Sequence, residues 1–86
     1  MEARKLVGTV EHYFSRISVA VVSLVDELKL GDEIVIEGKT TNIKQKVESM
    51  QIEKKPVSIA KPGDKIGLRV EGKVREGDKV YKEIVS

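Results

Sequence analysis

Cysteine and tryptophan are absent from the 86 residues, histidine and asparagine occur once each, and the aromatic side chains are Tyr13, Phe14 and Tyr81. Each gap closes off a class of function. Without a thiol there is neither a disulfide framework nor a thiolate metal site, and a reducing cytoplasm is the expected setting. His12 alone would leave carboxylates to hold a metal ion, so no metal is expected. Three aromatics are too few for the stacking platform of a single-strand binder. The longest apolar run, Val19 to Val22, is far too short to cross a bilayer, and the first residues lack the basic-then-apolar order of a signal peptide. A soluble chain that meets no membrane is expected. Neither G-x-x-x-x-G-K nor G-x-G-x-x-G occurs, so no nucleotide or other cofactor is expected.

What is abundant is charge. Lys, Arg, Asp and Glu make up 35% of the chain with both signs interspersed, a bias common in thermophile proteins. The net charge of +2 is too small by itself to announce a nucleic-acid binder. Its distribution is less even: residues 1–43 carry five basic and seven acidic residues, and residues 44–86 carry eleven and seven. One side of the molecule is therefore expected to be basic. At this length a single domain with one small core is expected, spanning residues 1–86.

The punctuation is Gly-Asp. It falls at Gly31-Asp32, Gly63-Asp64 and Gly77-Asp78, each followed within a few residues by β-branched or aromatic positions, and Pro62 precedes the second pair. Glycine tolerates φ > 0 and aspartate accepts backbone N–H bonds, so these pairs predict tight corners between strands, with the aspartates serving their own turns. Alternation predicts strands at Arg4–His12 (Leu6, Gly8 and Val10 on one face), Ile17–Leu24, Glu33–Glu37 with Ile34 and Ile36 inward, Asn42–Glu53, Val57–Ala60, Ile66–Val70 and Lys79–Val85. His12–Arg16 and Val25–Leu30 are expected to be loops. Ile17–Leu24 is apolar on both faces, which predicts burial of one face and cover of the other by a loop, a terminus or a partner. Within Asn42–Glu53 the inward parity changes from Ile43 and Val47 to Met50 and Ile52, which predicts a β-bulge near Glu48 or Ser49. Short strands, close turns and no 3.6-residue period predict an all-β protein, and closure into a barrel of six or seven strands removes the edges that an open sheet would expose.

The series Gly8-x-Val10, Leu28-x-x-Gly31-Asp32-x-Ile34-x-Ile36-x-Gly38, Val47-x-Ser49-Met50, Ala60-x-x-Gly63-Asp64-x-Ile66-Gly67-Leu68 and Gly77-Asp78 resembles the second domain of translational GTPases such as elongation factor Tu. That resemblance implies a closed Greek-key barrel of the translation-protein type. The segments His12-Tyr13-Phe14, Val19-Ala20-Val21-Val22, Gly38-Lys39-Thr40-Thr41 and Glu48-Ser49-Met50-Gln51-Ile52 are similar, more closely, to the C-terminal barrel of the collagenase-like peptidase family and its stand-alone archaeal relatives. The chain departs from that pattern at Asp26-Glu27, where a glycine is usual. It also carries neither a P-loop nor a peptidase catalytic segment.

His12 has only Glu11 and Ser15 as sequence-near partners, and neighbours on a strand point to opposite faces, so no catalytic residue is expected. The predicted role is a non-catalytic binding or adaptor module. In one form it contacts tRNA or a ribonucleoprotein through Lys44, Lys46, Arg69, Lys73 and Arg75, by salt-sensitive backbone contacts. In the other it is a protein-interaction module that partners a separate peptidase-like catalytic subunit or pairs with itself. That form uses the two-sided strand Ile17–Leu24 and the contact residues His12, Tyr13, Phe14 and Arg16, although the plainer expectation for the aromatics is that Phe14 plugs one barrel end and Tyr13 packs over it.

Overall fold

In a computed structural model the chain is all β: residues 2–85 are described, and among them there are strands and turns but no helix. The strands are β1 (Glu2–Phe14), β2 (Val19–Leu24), β3 (Leu28–Lys29), β4 (Glu33–Glu37), β5 (Asn42–Lys46), β6 (Met50–Ile52), β7 (Lys55–Val57), β8 (Ile59–Ala60), β9 (Lys65–Arg69) and β10 (Lys79–Val85). The main sheet runs β5-β4-β10-β1-β2-β9-β6-β7, all neighbours antiparallel, and β3 pairs with β8 separately.

β5 and β6 are two halves of one path. β5 pairs with β4 at one end of the sheet and β6 pairs with β9 near the other. The segment between them carries the chain from one to the other, with the Ser49 carbonyl accepting the Arg69 N–H at 3.2 Å. Gln45 completes the seam. Its Nε2 donates to the Arg69 carbonyl at 2.9 Å and its Oε1 accepts the Glu71 N–H at 2.8 Å, so a side chain joins β5 to the end of β9 where no backbone ladder does. The six staves β1, β2, β4, β5/β6, β9 and β10 thus surround one core, and the β2-to-β4 and β9-to-β10 connections pass over other staves in Greek-key fashion. β7 hangs from β6 as a free edge, and Pro56 there offers no N–H to a passing strand.

The three Gly-Asp pairs build the same corner three times. Gly31, Gly63 and Gly77 have φ of 89°, 92° and 90°, a region that L side chains avoid. In each corner the aspartate N–H donates to the carbonyl three residues back, as in a type II turn. Its carboxylate also accepts the N–H of that residue: Lys29 at 2.9 Å, Lys61 at 2.9 Å and Arg75 at 2.8 Å. The aspartates therefore serve their own turns, as the spacing implies.

The core joins Val10, Ala20, Val22, Ile34, Ile36, Leu68 and Val80 with Leu28 and Ala60 from the β3/β8 pair. Burial on β2 alternates as expected. The change of parity on the fourth stave is also present: Val47 and Met50, three residues apart, are both buried. It is realised as a gap in strand pairing over residues 47–49, rather than as a bulge within one ladder.

Besides the expected Val25–Leu30 loop, within which Leu28–Lys29 pairs with Ile59–Ala60 as β3, two expectations need correction. On β1, Leu6 is 40% exposed and Val7 is buried, because the pairing with β10 slips between Leu6 and Gly8. The Val7 carbonyl turns aside at this bulge to accept the N–H groups of Val25 (2.8 Å) and Asp26 (3.3 Å), and alternation restarts out of step. Gly8 follows it at a close approach, since a Cβ there would lie 2.6 Å from Val22 Cγ1 and 2.7 Å from the Ser23 carbonyl oxygen. Second, His12–Phe14 continues β1 as strand, paired with Val19–Val21, and only the following four residues form the turn.

Candidate functional site

Two surface features follow from this arrangement, an apolar groove on the barrel wall and a cationic hollow at one rim. The groove arises because β1 and β2 keep apolar residues on their outward faces. Phe14 lies opposite Val19 across the β1–β2 ladder, and Val21 lies opposite Gly67 across β2–β9. Gly67 has no side chain to fill the wall, and a Cβ there would come within 3.3 Å of Val19 Cγ1. The result is a hollow of about 380 Å³ floored by Val19, Val21 and Gly67 and walled by Phe14 and Ile17. Phe14 is 47% and Ile17 63% exposed. Glu53 and Lys54 line the same groove from the β6–β7 hairpin, both at positive φ (51° and 67°). A two-residue loop of that geometry matches strand twist but is costly for residues with a Cβ. Lys65 lines it too, and its Nζ lies 3.4 Å from Glu11 Oε1.

The hollow at the rim holds about 320 Å³ and is lined by Tyr13, Thr40, Thr41, Lys73, Val74 and Arg75. Val74 is buried and anchors the β9–β10 loop, so Lys73 and Arg75 flank it and point to solvent.

The five predicted RNA-contact cations fall into two groups. Lys44 and Lys46 flank Gln45 on β5, and Gln45 holds the Arg69 carbonyl, so these three line the closing seam. Lys44 lies 3.3 Å from the largely buried Glu83. Lys73 and Arg75 belong to the rim hollow. The predicted contact residues are also divided. His12 is exposed, with Nδ1 3.2 Å from Glu76 Oε1 and its ring edge-on to Phe14 at 4.4 Å. Tyr13 packs against the core and borders the hollow, Phe14 borders the groove, and Arg16 is exposed in the turn after β1. The aromatic pair is thus the reverse of the plug arrangement: Tyr13 turns in and Phe14 turns out, because the bulge between Val10 and His12 shifts their parity.

Sequence reasoning missed Glu76, which lies 64 residues from His12 in the chain. It also missed Gly67, for which a glycine set between two inward apolar residues was the available signal. The threonines of the hollow gave no signal. Among the described residues no three His, Asp or Glu side chains are grouped to hold a metal ion, and no helix is long and apolar enough to cross a membrane.

A small closed all-β barrel with an apolar channel in its wall is the class that fold and surface define, and its likeness to known proteins is specific. The chain is 46% identical over 76 residues to an uncharacterized protease of Methanocaldococcus jannaschii, and 46% identical over 78 residues to a collagenase of Porphyromonas gingivalis. These matches take in 87% and 88% of the chain but 19% and 22% of the relatives, so the chain spans about a fifth of their length. In structure it is similar to the C-terminal domain of a Geobacillus thermoleovorans protein classed with the U32 peptidases. The TM-score is 0.84 at 20% identity, covering 88% of this chain and 96% of that one. A second crystal structure of that domain gives 0.83 at 22% identity, covering 88% and 89%. No family model matches the chain. The sequence relatives are thus named as a protease and a collagenase, in keeping with the second resemblance, and the likeness to the U32 domain is one of fold. They do not confirm the elongation-factor likeness, and they lend no support to a tRNA role.

Proposed function

We propose that this barrel is a non-catalytic docking module that partners a peptidase-like catalytic body through the groove over β2. The observation that carries the reading is the outward face of β2, where Val19 and Val21 are only half-buried and Phe14 and Ile17 beside them stand exposed, on a chain so rich in charge. A contiguous apolar patch rimmed by polar side chains marks an interaction surface. The relatives support the identity of the partner, since they carry the matching segment as about a fifth of a longer protease or collagenase. The non-catalytic part of the reading draws support from the surroundings of His12, which meets Glu76 on the open surface, where a general base has no shaped pocket to act in.

The test is a titration of the chain against the M. jannaschii relative produced without its matched segment. Binding is expected, and Val21→Lys, which sets a charge on the groove floor, is expected to weaken it by about tenfold or more. Failure of the wild-type chain to bind, or equal binding by Val21→Lys, would overturn the reading. Concentration-dependent dimerisation abolished by the same substitution would instead make a second copy the occupant.

A further inference from the structure

We propose that the rim hollow between the Gly38–Thr41 turn and the β9–β10 loop is a binding site for a phosphate group. Four observations lead there. First, none of its six lining residues is a carboxylate, whereas two are cations, two are threonines and one is a tyrosine. Cations without a carboxylate on the lining favour an anion there, while Glu76 and Asp78 line the adjoining hollow that shares Thr40 and Arg75. Second, Thr41 is 5% exposed, yet its hydroxyl has no hydrogen-bond partner among the described residues while it lines the hollow. The hydroxyl oxygen is not itself sealed from solvent but opens on the hollow, where it can donate to a ligand oxygen. Third, the side chains of Lys73 and Arg75 have no ion-pair partner among the described residues, so their charge is available.

Fourth, the walls are held in place before any ligand arrives. The Arg75 N–H donates to Asp78 Oδ2 at 2.8 Å and its carbonyl accepts the Asp78 N–H at 3.1 Å, so the Gly77-Asp78 corner fixes the arginine backbone. That corner is clamped to β1, with the Val10 N–H donating to the Asp78 carbonyl and the Gly77 N–H to the Val10 carbonyl, both at 2.8 Å. The opposite wall is closed by the Gly38 N–H donating to the Thr41 carbonyl at 2.9 Å, and it packs so tightly on the corner that a Cβ at Gly38 would collide with the Asp78 carboxylate. Preorganised donors cost less to engage than mobile ones.

The chemistry favours phosphate. A guanidinium presents a planar fork and an ammonium a point charge, and together with a hydroxyl they match the several strong acceptors of a phosphate group. The volume of about 320 Å³ leaves room for what the phosphate is attached to, and the Tyr13 ring lies at the wall to receive it. The site is separate from the β2 groove and stands or falls independently of the docking reading.

The test is an amide-resolved NMR titration of the full chain with inorganic phosphate at low salt, set against sodium chloride at equal ionic strength. Saturable shifts at Thr40, Thr41, Lys73 and Arg75 with phosphate and not with chloride are expected. Arg75→Gln and Lys73→Gln are each expected to weaken binding about tenfold, since each removes a charge-assisted hydrogen bond. Thr41→Val is expected to weaken binding without lowering the melting temperature, because the hydroxyl it removes has no partner in the fold. Methyl phosphate and dimethyl phosphate distinguish the source: preference for the monoester identifies a free phosphorylated molecule, preference for the diester a phosphodiester chain, and either supports the site. Non-saturable shifts, or saturation unchanged by Arg75→Gln and Lys73→Gln, would overturn it.

Discussion

Gln45→Met tests whether the barrel is closed by a side chain. Methionine keeps the length and most of the volume of glutamine, so the perturbation is the loss of the two seam hydrogen bonds and of a long one to the Lys46 carbonyl at 3.4 Å, at a position only 7% exposed. Each such bond contributes about 1 kcal/mol net, and a carbonyl or N–H orphaned in a dry setting costs about 1–3 kcal/mol. The Arg69 carbonyl lies at the seam, whereas Glu71 is exposed, so water can take over its N–H. The expected loss is therefore roughly 2–3 kcal/mol. A domain of this size has a total stability on the order of 4–13 kcal/mol, so the loss is a large share of it. The melting temperature should fall by about 10–20 °C. The chain has no tryptophan, so urea unfolding is best followed by far-ultraviolet circular dichroism. Gln45→Glu sharpens the test: a carboxylate can still accept from the Glu71 N–H but presents lone pairs to the Arg69 carbonyl, and it should destabilise at least as much. If Gln45→Met unfolds within about 0.5 kcal/mol of the parent with the same denaturant slope, the seam is held by something other than Gln45.

Three further outcomes are expected. Gly63→Ala meets no atom within 4 Å, so its cost is purely that of φ at 92°, about 1–2 kcal/mol by equilibrium unfolding; a neutral result would mean the corner can relax. Replacing Glu53-Lys54 by Asn-Gly relieves two positive-φ residues and should raise the urea midpoint by the equivalent of about 1 kcal/mol, and an unchanged or lower midpoint would refute the strain. The Lys5 ammonium, 2.7 Å away, and then the Glu27 N–H hold the Asp26 carboxyl below its ordinary value, against a smaller opposing effect of desolvation. Because the folded pKa is depressed, the stabilisation is complete above the unfolded value of about 3.9 and is lost as pH falls through the folded pKa. Carboxyl NMR of Lys5→Met should show the Asp26 midpoint moving up, and no movement would remove Lys5 as the cause.

Local chemistry alone determined the β class, the three corners and most strand positions, because Gly-Asp geometry and period-two burial are read within a few residues. The change of parity between Val47 and Met50 and the open outer face of Ile17–Leu24 were legible for the same reason, as each is a pattern along one segment. The inversion of Leu6 and Val7 was not, since the bulge exists to let the Val7 carbonyl reach Val25 and Asp26, a demand made by a distant stretch. Nor could sequence show that Tyr13 turns in and Phe14 out. Closure through Gln45, the meeting of His12 with Glu76, and the rim hollow joining Thr41 to Arg75 all depend on contacts between residues 24 to 64 positions apart. Only the curvature of the whole sheet decides which of those come within reach.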